Sequence, residues 1–426
     1  MIDINLIREN KEIVKENIKK KFQDTKLPIV DEVYEMDLKY RDAKLKGDNL
    51  RSEKNNLSAE IGNLMRDKKQ EEANIVKTKV EAITNEIKDL ETKELELEAS
   101  IKEKMMIIPQ IIDSTVPIGK DDSENVEITK YGAPVVPDFE VPYHADILES
   151  INGIDKESSG RTSGNGFYYL MGDAARLHSA MISYARDFMI DKGFNYCIPP
   201  FMIRSDVVTG VMSFTEMENM MYKIEGEDLY LIGTSEHSMI GKYKDQIVKE
   251  ETLPITLTSY SPCFRKEVGA HGIEERGIYR VHQFEKQEMV VLCKEEDHMD
   301  WYNKMWSYTV EFFRSLDVPV RTLECCSGDL ADLKVKSCDV EAWSPRQQKY
   351  YEVGSCSTLG DAQARRLGIR SKGESGTKYV YTLNNTVLAT PRGLIALLEN
   401  NITQNGEIKI PKALQAYMGG KESIKS

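Results

Sequence analysis

The sequence predicts an α+β protein in which an antiparallel α-helical coiled-coil arm precedes a mainly antiparallel β-sheet with flanking helices. Three observations predict it. Heptad-spaced apolar residues mark the arm, and the composition changes abruptly at 109–142. The remainder consists of short aromatic or β-branched segments between turn residues, with few βαβ alternations and no GxGxxG or GxxxxGK[ST] fingerprint.

In the arm, Val76, Val80, Ile83, Ile87, Leu90, Leu97 and Ile101 follow a four-three step on a background of Lys and Glu, broken only by Glu94. Its partner helix begins at Val30, Tyr34 and Leu38 and resumes less regularly at Leu50, Leu57, Ile61 and Leu64, with Arg66 to Asn74 expected as the turn. Each helix would hold about 35 residues, roughly 50 Å at 1.5 Å per residue. An arm of that length serves no compact core; it dimerises or reaches a distant partner. The Pro, Gly, Asp and Val of 109–142 mark a boundary, which divides the chain into an arm (1–110), a linker (111–142) and a globular domain (143–426). In that domain 195–203, 257–264, 278–284, 339–343 and 350–356 read as strands, and 174–192, 298–316 and Leu394 to Asn400 as helices.

With 426 residues, 40% of them hydrophobic, the chain can bury more than one core. A formal charge of -13, from 57 Lys plus Arg against 70 Asp plus Glu, argues against generic coating of DNA or anionic membrane, though a local basic patch stays open. No apolar run approaches the roughly 18 residues of a membrane span. The start carries no export signal, so a cytoplasmic protein with no membrane partner is expected. Seven cysteines with no CxxC pair fit reduced thiols, and no zinc site is expected.

Three clusters carry chemistry. In CFRKEVGAHGIEERGIYRVHQFEKQEMV (263–290), a strand bearing Arg265 and Glu267 enters a Gly-rich loop and returns through Arg280, Phe284 and Glu288. Residues two apart on a strand share a face, so Arg265 and Glu267 point together while Lys266 points away. A guanidinium that forks onto phosphate oxygens, an acceptor for an exocyclic amine and an aromatic platform suit a purine polyphosphate. The bland alternative is a hairpin with solvent-side ion pairs. In LNNTVLATPRGLIALLEN (383–400), a polar strand from Asn384 to Thr386 turns at Pro391 into a helix that starts with Arg392. A cation at a helix N-terminus opposes the dipole unless an anion is bound, although such an Arg is often just a surface residue. In YYEVGSCS (350–357), Glu352 and Ser355 offer hard oxygens that suit Mg²⁺ beside phosphates, and GTSEHS sets Thr234 beside Glu236.

In order and spacing these clusters resemble the signature motifs of class II aminoacyl-tRNA synthetases, specifically the seryl-tRNA synthetase family, over nearly the whole chain. KGFNYCIPPFM is similar to motif 1, at the family's dimer interface; FRKE through VHQFEKQE is similar to motif 2, and ATPRGLIALLEN to motif 3. TSE (234–236) and SCS…QARR (355–366) resemble stretches of seryl enzymes, and TSE, VHQFEK and NNT look closer to archaeal and eukaryotic forms. Tyr351, Gly354, Thr358 and Leu359 depart from the commoner pattern, as do His237 and Gly393 beside their motifs.

The resemblance implies a class II catalytic domain and a tRNA-binding arm. Thr234, Ser235, Glu236, Arg265, Glu288 and Thr386 would bind L-serine. Arg265, Lys266, Glu267, Arg280, Val281, Phe284, Glu352, Val353, Gly354, Ser355 and Arg392 would bind ATP, with Glu352 and Ser355 near Mg²⁺ and Arg265, Glu267 and Arg392 as catalytic groups. The implied reaction is activation of serine to seryl-adenylate and transfer to tRNA(Ser), with tRNA(Sec) as a second candidate acceptor, by a homodimer. The arm's tRNA contacts are expected at Lys39, Arg41, Lys44, Lys46, Arg51 and Lys54, whose acidic neighbours Asp42, Asp48 and Glu53 are expected not to cancel them. The competing expectation is a seryl-adenylate-forming paralogue that loads a different acceptor and would not need the arm.

Overall fold

The structure, a computed structural model, describes residues 1–267 and 277–425. The chain divides into two compact units, one of Ile2–Lys19 with Gln23–Ile108, the other of Pro109–Ser426 with Met1 and Lys20–Phe22.

The first unit is built from α1 (Ile4–Lys20), α2 (Leu27–Arg66) and α3 (Gln70–Met105). The 40 and 36 residues of α2 and α3 correspond to roughly 60 and 54 Å of helix. The turn is shorter than the 66–74 expected, only Asp67 to Lys69, with Lys68 at φ 61°. Glu71 and Glu72 stand in the first turn of α3, where carboxylates favour the helix dipole and carry the helix back to Gln70.

On α3 the seam runs as expected, with Val76, Ile87 and Ile101 buried and Val80, Ile83, Leu90 and Leu97 half-buried; Glu94 joins it. On α2 the stripe differs. Leu38 faces out, and the seam passes through Val30, Val33, Asp37, Ala43 and Gly47. Asp37 is buried because Arg8 (2.7 Å) and Arg41 (2.8 Å) satisfy its carboxylate. Gly47 is small enough for close approach: a Cβ there would lie 3.2 Å from a carboxylate oxygen of Glu94. A reading by hydrophobicity passes over an acid and a glycine, which explains the irregular spacing.

The second unit is organised on an eight-stranded sheet. In chain order its strands are β1 (Val126–Tyr131), β2 (Asn195–Tyr196), β3 (Ile255–Phe264), β4 (Gln283–Cys293), β5 (Val320–Glu324), β6 (Lys336–Ser344), β7 (Lys349–Thr358) and β8 (Tyr381–Ala389). The spatial order is β1-β5-β6-β7-β8-β4-β3-β2, antiparallel throughout except for the last pair. The stretch read as a linker thus supplies an edge strand. The run 195–203 is not one strand: Asn195–Tyr196 and Met202–Ile203 are separate, divided by Pro199 and Pro200, which cannot donate to a ladder. The strand expected over 278–284 begins only at Gln283.

Four helices matter for the site: α4 (Gly172–Asp191), α5 (Ser235–Gly241), α6 (His298–Ser315) and α7 (Thr390–Asn401). Phe312 and Phe313 of α6, Leu177 and Met181 of α4 and Leu394 and Leu397 of α7 form one core with Met289, Val291, Val340 and Leu383 of the sheet. On the opposite face, Val290 and Leu292 of β4 pack with Met239 and Ile240 of α5. Period-two alternation along β4 therefore puts Lys286 and Glu288 on the face of Val290, away from the main core.

None of the seven cysteines is in a disulfide. Among the described residues no helix is long and apolar enough to cross a membrane.

Candidate active site

Two adjoining hollows open on that face. One is a cleft lined by Arg265, Glu267, Tyr279, Arg280, Val281 and Phe284 with Glu352, Val353, Gly354 and Arg392. The other is a pocket lined by Thr234, Glu236, His237, Glu288, Ser355, Asn384 and others. Arg265, Lys286, Glu352 and Thr386 line both and mark the junction.

Two β-bulges shape the walls. The β6–β7 register shifts between Val340 and Glu341, so Asp339 pairs with Ser355 but Glu341 with Glu352. The extra residue lets Glu352 and Ser355, three apart, line the same pocket, which a regular strand would forbid. A second shift between Thr386 and Leu388 lies where β8 meets β4. Gly354 sits at the first bulge, and a Cβ there would stand 3.0 Å from the backbone oxygen of Thr386. The backbones approach closely, which accounts for glycine at this departure from the family pattern.

In the cleft, Arg265 donates from Nε to the Gly233 carbonyl at 3.1 Å, and its guanidinium lies 5.3 Å from the Phe284 ring centroid. Strand alternation does not explain why Arg265 and Glu267 face together, because β3 ends at Phe264 and Glu267 has φ 46°. They nevertheless share the cleft, where Glu267 pairs with Arg280 at 3.3 Å. Lys266 turns away and donates from Nζ to the Glu218 carbonyl at 3.1 Å, so its assignment to the cleft is corrected. The Gly-rich loop between the two halves of this motif falls at 268–276, outside the described residues.

Arg392 lies in the first turn of α7, whose helix starts two residues earlier, at Thr390. It donates from Nη1 to Glu352 Oε2 at 2.8 Å and lies 4.7 Å from the Tyr279 centroid. Enclosure pushes the Glu352 carboxyl up, but the Arg392 charge and hydrogen bond outweigh it and hold the group below the usual range. Tyr351, another departure, donates from its hydroxyl to the Arg392 carbonyl at 3.2 Å. It anchors the backbone of the cation without entering the cleft.

The pocket is carboxylate-rich. Thr234, the N-cap of α5, donates to Glu288 Oε2 at 3.2 Å and accepts from the Glu236 backbone N-H at 3.3 Å. Gln363 donates to Glu236 Oε1 at 2.9 Å. Desolvation, then the nearby charge of Glu288, pushes the Glu236 carboxyl up to about 7. Burial, with the charges of Arg265 and Lys286, pushes His237 down to about 3, so its ring is neutral at physiological pH. Ser235 is buried in α5 with no hydrogen-bond partner for its hydroxyl and does not line the pocket.

Sequence reasoning missed Lys286 and Asn384. Each is two residues from an assigned neighbour, Glu288 or Thr386, and the alternation rule applied to those strands finds both. Cys325, Asp329 and Asp339 also line the pocket, with a ligand atom of each within 4.8 Å of the others. The charge of Lys334 already acts on Cys325 and Asp339 there.

The six basic residues assigned to the arm are in the first unit, and two of the three acidic neighbours, Asp42 and Asp48, pair with them. Lys46 pairs with Asp42 (2.8 Å), Arg51 with Asp48 (2.7 Å) and Glu91 (3.1 Å), and Arg41 with Asp37. Lys39 and Lys44 are exposed and Lys54 is half-buried.

Comparison with known proteins adds an independent line. Residues 1–112 match the family described as the seryl-tRNA synthetase N-terminal domain, and 220–401 the class II tRNA synthetase core domain (G, H, P, S and T). The serine–tRNA ligase of Thermococcus onnurineus is 40% identical over all of this chain and 97% of its own length. That of Methanoculleus marisnigri is 37% identical over the whole of both. A solved seryl-tRNA synthetase from Pyrococcus horikoshii, complexed with ATP, superposes with a TM-score of 0.95 at 37% identity over 100% of this chain and 99% of that one. The cytoplasmic serine–tRNA ligase of Naegleria fowleri with AMP gives 0.89 at 32% identity over the same shares.

Proposed function

Because the chain belongs to the seryl-tRNA synthetase family, we propose that it activates L-serine with ATP to seryl-adenylate and transfers the seryl group to tRNA(Ser). One observation carries the residue roles: a cleft bearing three guanidinium groups, those of Arg265, Arg280 and Arg392, opens onto a carboxylate-lined pocket through a shared wall. An anion and an ammonium can thus lie side by side.

In this reading ATP occupies the cleft, with adenine on Phe284 and its exocyclic amine toward Glu267, and with Arg280 and Arg392 on the outer phosphates. Serine occupies the pocket, its ammonium between Glu236 and Glu288 and its hydroxyl near Thr386 and Thr234. Arg265, tied to Gly233, meets the serine carboxylate and the α-phosphate. No protein nucleophile is needed. The carboxylate attacks the α-phosphorus, and catalysis comes from positioning and charge neutralisation. A ribose hydroxyl at the tRNA end then attacks the adenylate carbonyl. Alanine is rejected because it would leave the buried hydroxyl partners unpaired.

Glu352 and Ser355 fit a magnesium ion that arrives with ATP: both offer hard oxygens on one side of the bulged strand. Bound there, the ion would neutralise phosphate charge. We further propose a homodimer through motif 1, supported by exposed Ile190 at the end of α4 and exposed Ile198 and Met202 just beyond β2, a cytoplasmic setting supported by seven unpaired thiols, and no resident zinc.

The test is pyrophosphate exchange with each of the twenty amino acids, then charging of total tRNA. Serine alone should support exchange, and only serine-accepting tRNA should be charged. Exchange without charging would favour the paralogue that loads another acceptor.

A further inference from the structure

Lys286 is a buried cation, 6% exposed, with no role in the reaction as derived so far. Its ammonium forms an ion pair with Glu288, itself 1% exposed, and stands 3.4 Å from the Thr386 hydroxyl. It lines both hollows, and the two cations common to their walls are Lys286 and Arg265. They differ in freedom. Arg265 is anchored through Nε to Gly233, whereas a lysine ammonium is a point charge on a flexible stem that can exchange partners.

Glu288 is the carboxylate that the proposed function gives to the ammonium of serine. Lys286 presents the same chemical group to the same carboxylate. The pocket sets Glu236 and Glu288 close enough that the charge of one raises the other, and Lys286 is a cation acting against that rise. When the substrate ammonium arrives, two ammonium groups compete for these carboxylates. The one on the flexible stem has a second foothold at Thr386, on the wall shared with the cleft.

We propose that Lys286 is a further catalytic residue: the ammonium of serine displaces it from Glu288, and it then meets the α-phosphate from the side opposite Arg265. The inference rests on the reading of the pocket as the serine site. In the step it serves, a serine carboxylate oxygen forms a bond to the α-phosphorus, and the bond from phosphorus to the bridging oxygen breaks. The electron pair leaves on pyrophosphate and no proton moves. Charge grows on the non-bridging α-phosphate oxygens, where a second cation is effective. Coupling its release to serine binding would supply the second cation only in complexes where the attacking carboxylate is in place.

The experiment uses the full-length protein with Lys286→Met and Lys286→Gln. Pyrophosphate exchange gives kcat and the KM for ATP, and calorimetry with serine alone gives its affinity. The expected result has opposite signs: kcat falls at least 100-fold, ATP affinity stays within about three-fold, and serine binds as well as or up to several-fold more tightly, because its competitor at Glu288 is gone. A structural counter-ion would lower serine affinity and kcat together, and that result overturns the proposal. So does a kcat within ten-fold of wild type, and so does failure of both variants to fold, which would make Lys286 a member of the core. Absence of serine-dependent exchange in the unaltered protein would refute the assigned function instead, so the two failures are distinguishable.

Discussion

At the scale of single residues, the cleft and the pocket respond differently. Arg265→Ala removes a contact that strengthens as charge develops on phosphorus, a loss of about 3 kcal/mol or more. Exchange should drop over 100-fold while the thermal melt holds, and activity within a few-fold of wild type would remove Arg265 from the chemistry. Glu288→Ala and Thr386→Ala should raise the KM for serine much more than that for ATP; equal rises would assign both to support of the sheet. Glu236 adds a pH signature. Its carboxyl is raised to about 7, so the fold favours the protonated form. The associated stability is fully present below the ordinary glutamate value of 4.5 and is lost as pH rises through about 7. Serine binding runs the other way, because its ammonium needs the ionised form. The KM for serine should fall between pH 6 and 8, and Glu236→Gln should flatten that slope. An unchanged slope in the variant would place the titration elsewhere. Arg265, Glu267, Glu288, Glu352 and Arg392 were legible because their types name their chemistry; Lys286 was not. The aromatic support of Arg392 by Tyr279 was not, since the two are 113 positions apart and meet only through the fold.

At the scale of elements, charge and small size do work that a hydrophobic stripe does not record. Asp37 belongs to the seam of α2 because Arg8 and Arg41 hold it. Burial pushes its carboxyl up, but those two partners outweigh it and leave it below the ordinary value. Its contribution is therefore present above the unfolded value and lost as pH falls through the folded one. Asp37→Ala should destabilise the first unit by about 2 kcal/mol near neutral pH, since charge-assisted hydrogen bonds to a buried group are broken. Urea denaturation followed by helix signal should show this difference shrinking below about pH 4, near the free aspartate value. A difference independent of pH would assign the loss to packing. The bulges on β7 and β8 are the other device at this scale. The first brings Glu352 and Ser355 to one pocket, and no sequence pattern announces either because a bulge is defined by the neighbouring strand's register.

At the scale of the molecule, the division into two units makes activation and charging separable. Excising 45–96 and closing the hairpin with a short glycine-serine loop removes Lys46, Arg51 and Lys54 but no residue assigned to ATP or serine. Exchange should remain within a few-fold while tRNA charging falls at least 100-fold. Loss of both would make the arm a folding element, and retention of both would favour the acceptor other than tRNA. Since several arm cations are already paired, tRNA affinity should decline with salt less steeply than six free cations would give, at about 0.9 log units per phosphate contact at most. The proposed dimer has its own test. Ile198, 71% exposed, replaced by Asp should give a monomer by sedimentation at micromolar concentration, and an unchanged oligomeric state would move the interface elsewhere.

By itself the amino-acid sequence determined the coiled-coil seam of α3, the antiparallel character of the second unit, and the residues Arg265, Glu288, Glu352, Thr386 and Arg392 as bearers of charge or hydroxyl chemistry. Those features are local: heptad spacing, turn residues and side-chain type act over a few positions. Only the tertiary structure decided where Lys266 lands once it turns from the cleft, that Leu38 leaves the seam in favour of Asp37 and Gly47, that 109–142 contains a strand of the main sheet, and that Lys286 stands where the two hollows meet. Each of these depends on a partner distant in sequence: the Glu218 carbonyl, Arg8, the β5 strand or Thr386. Such pairings are selected by the burial of whole faces and the register of strands, which no short window of residues specifies.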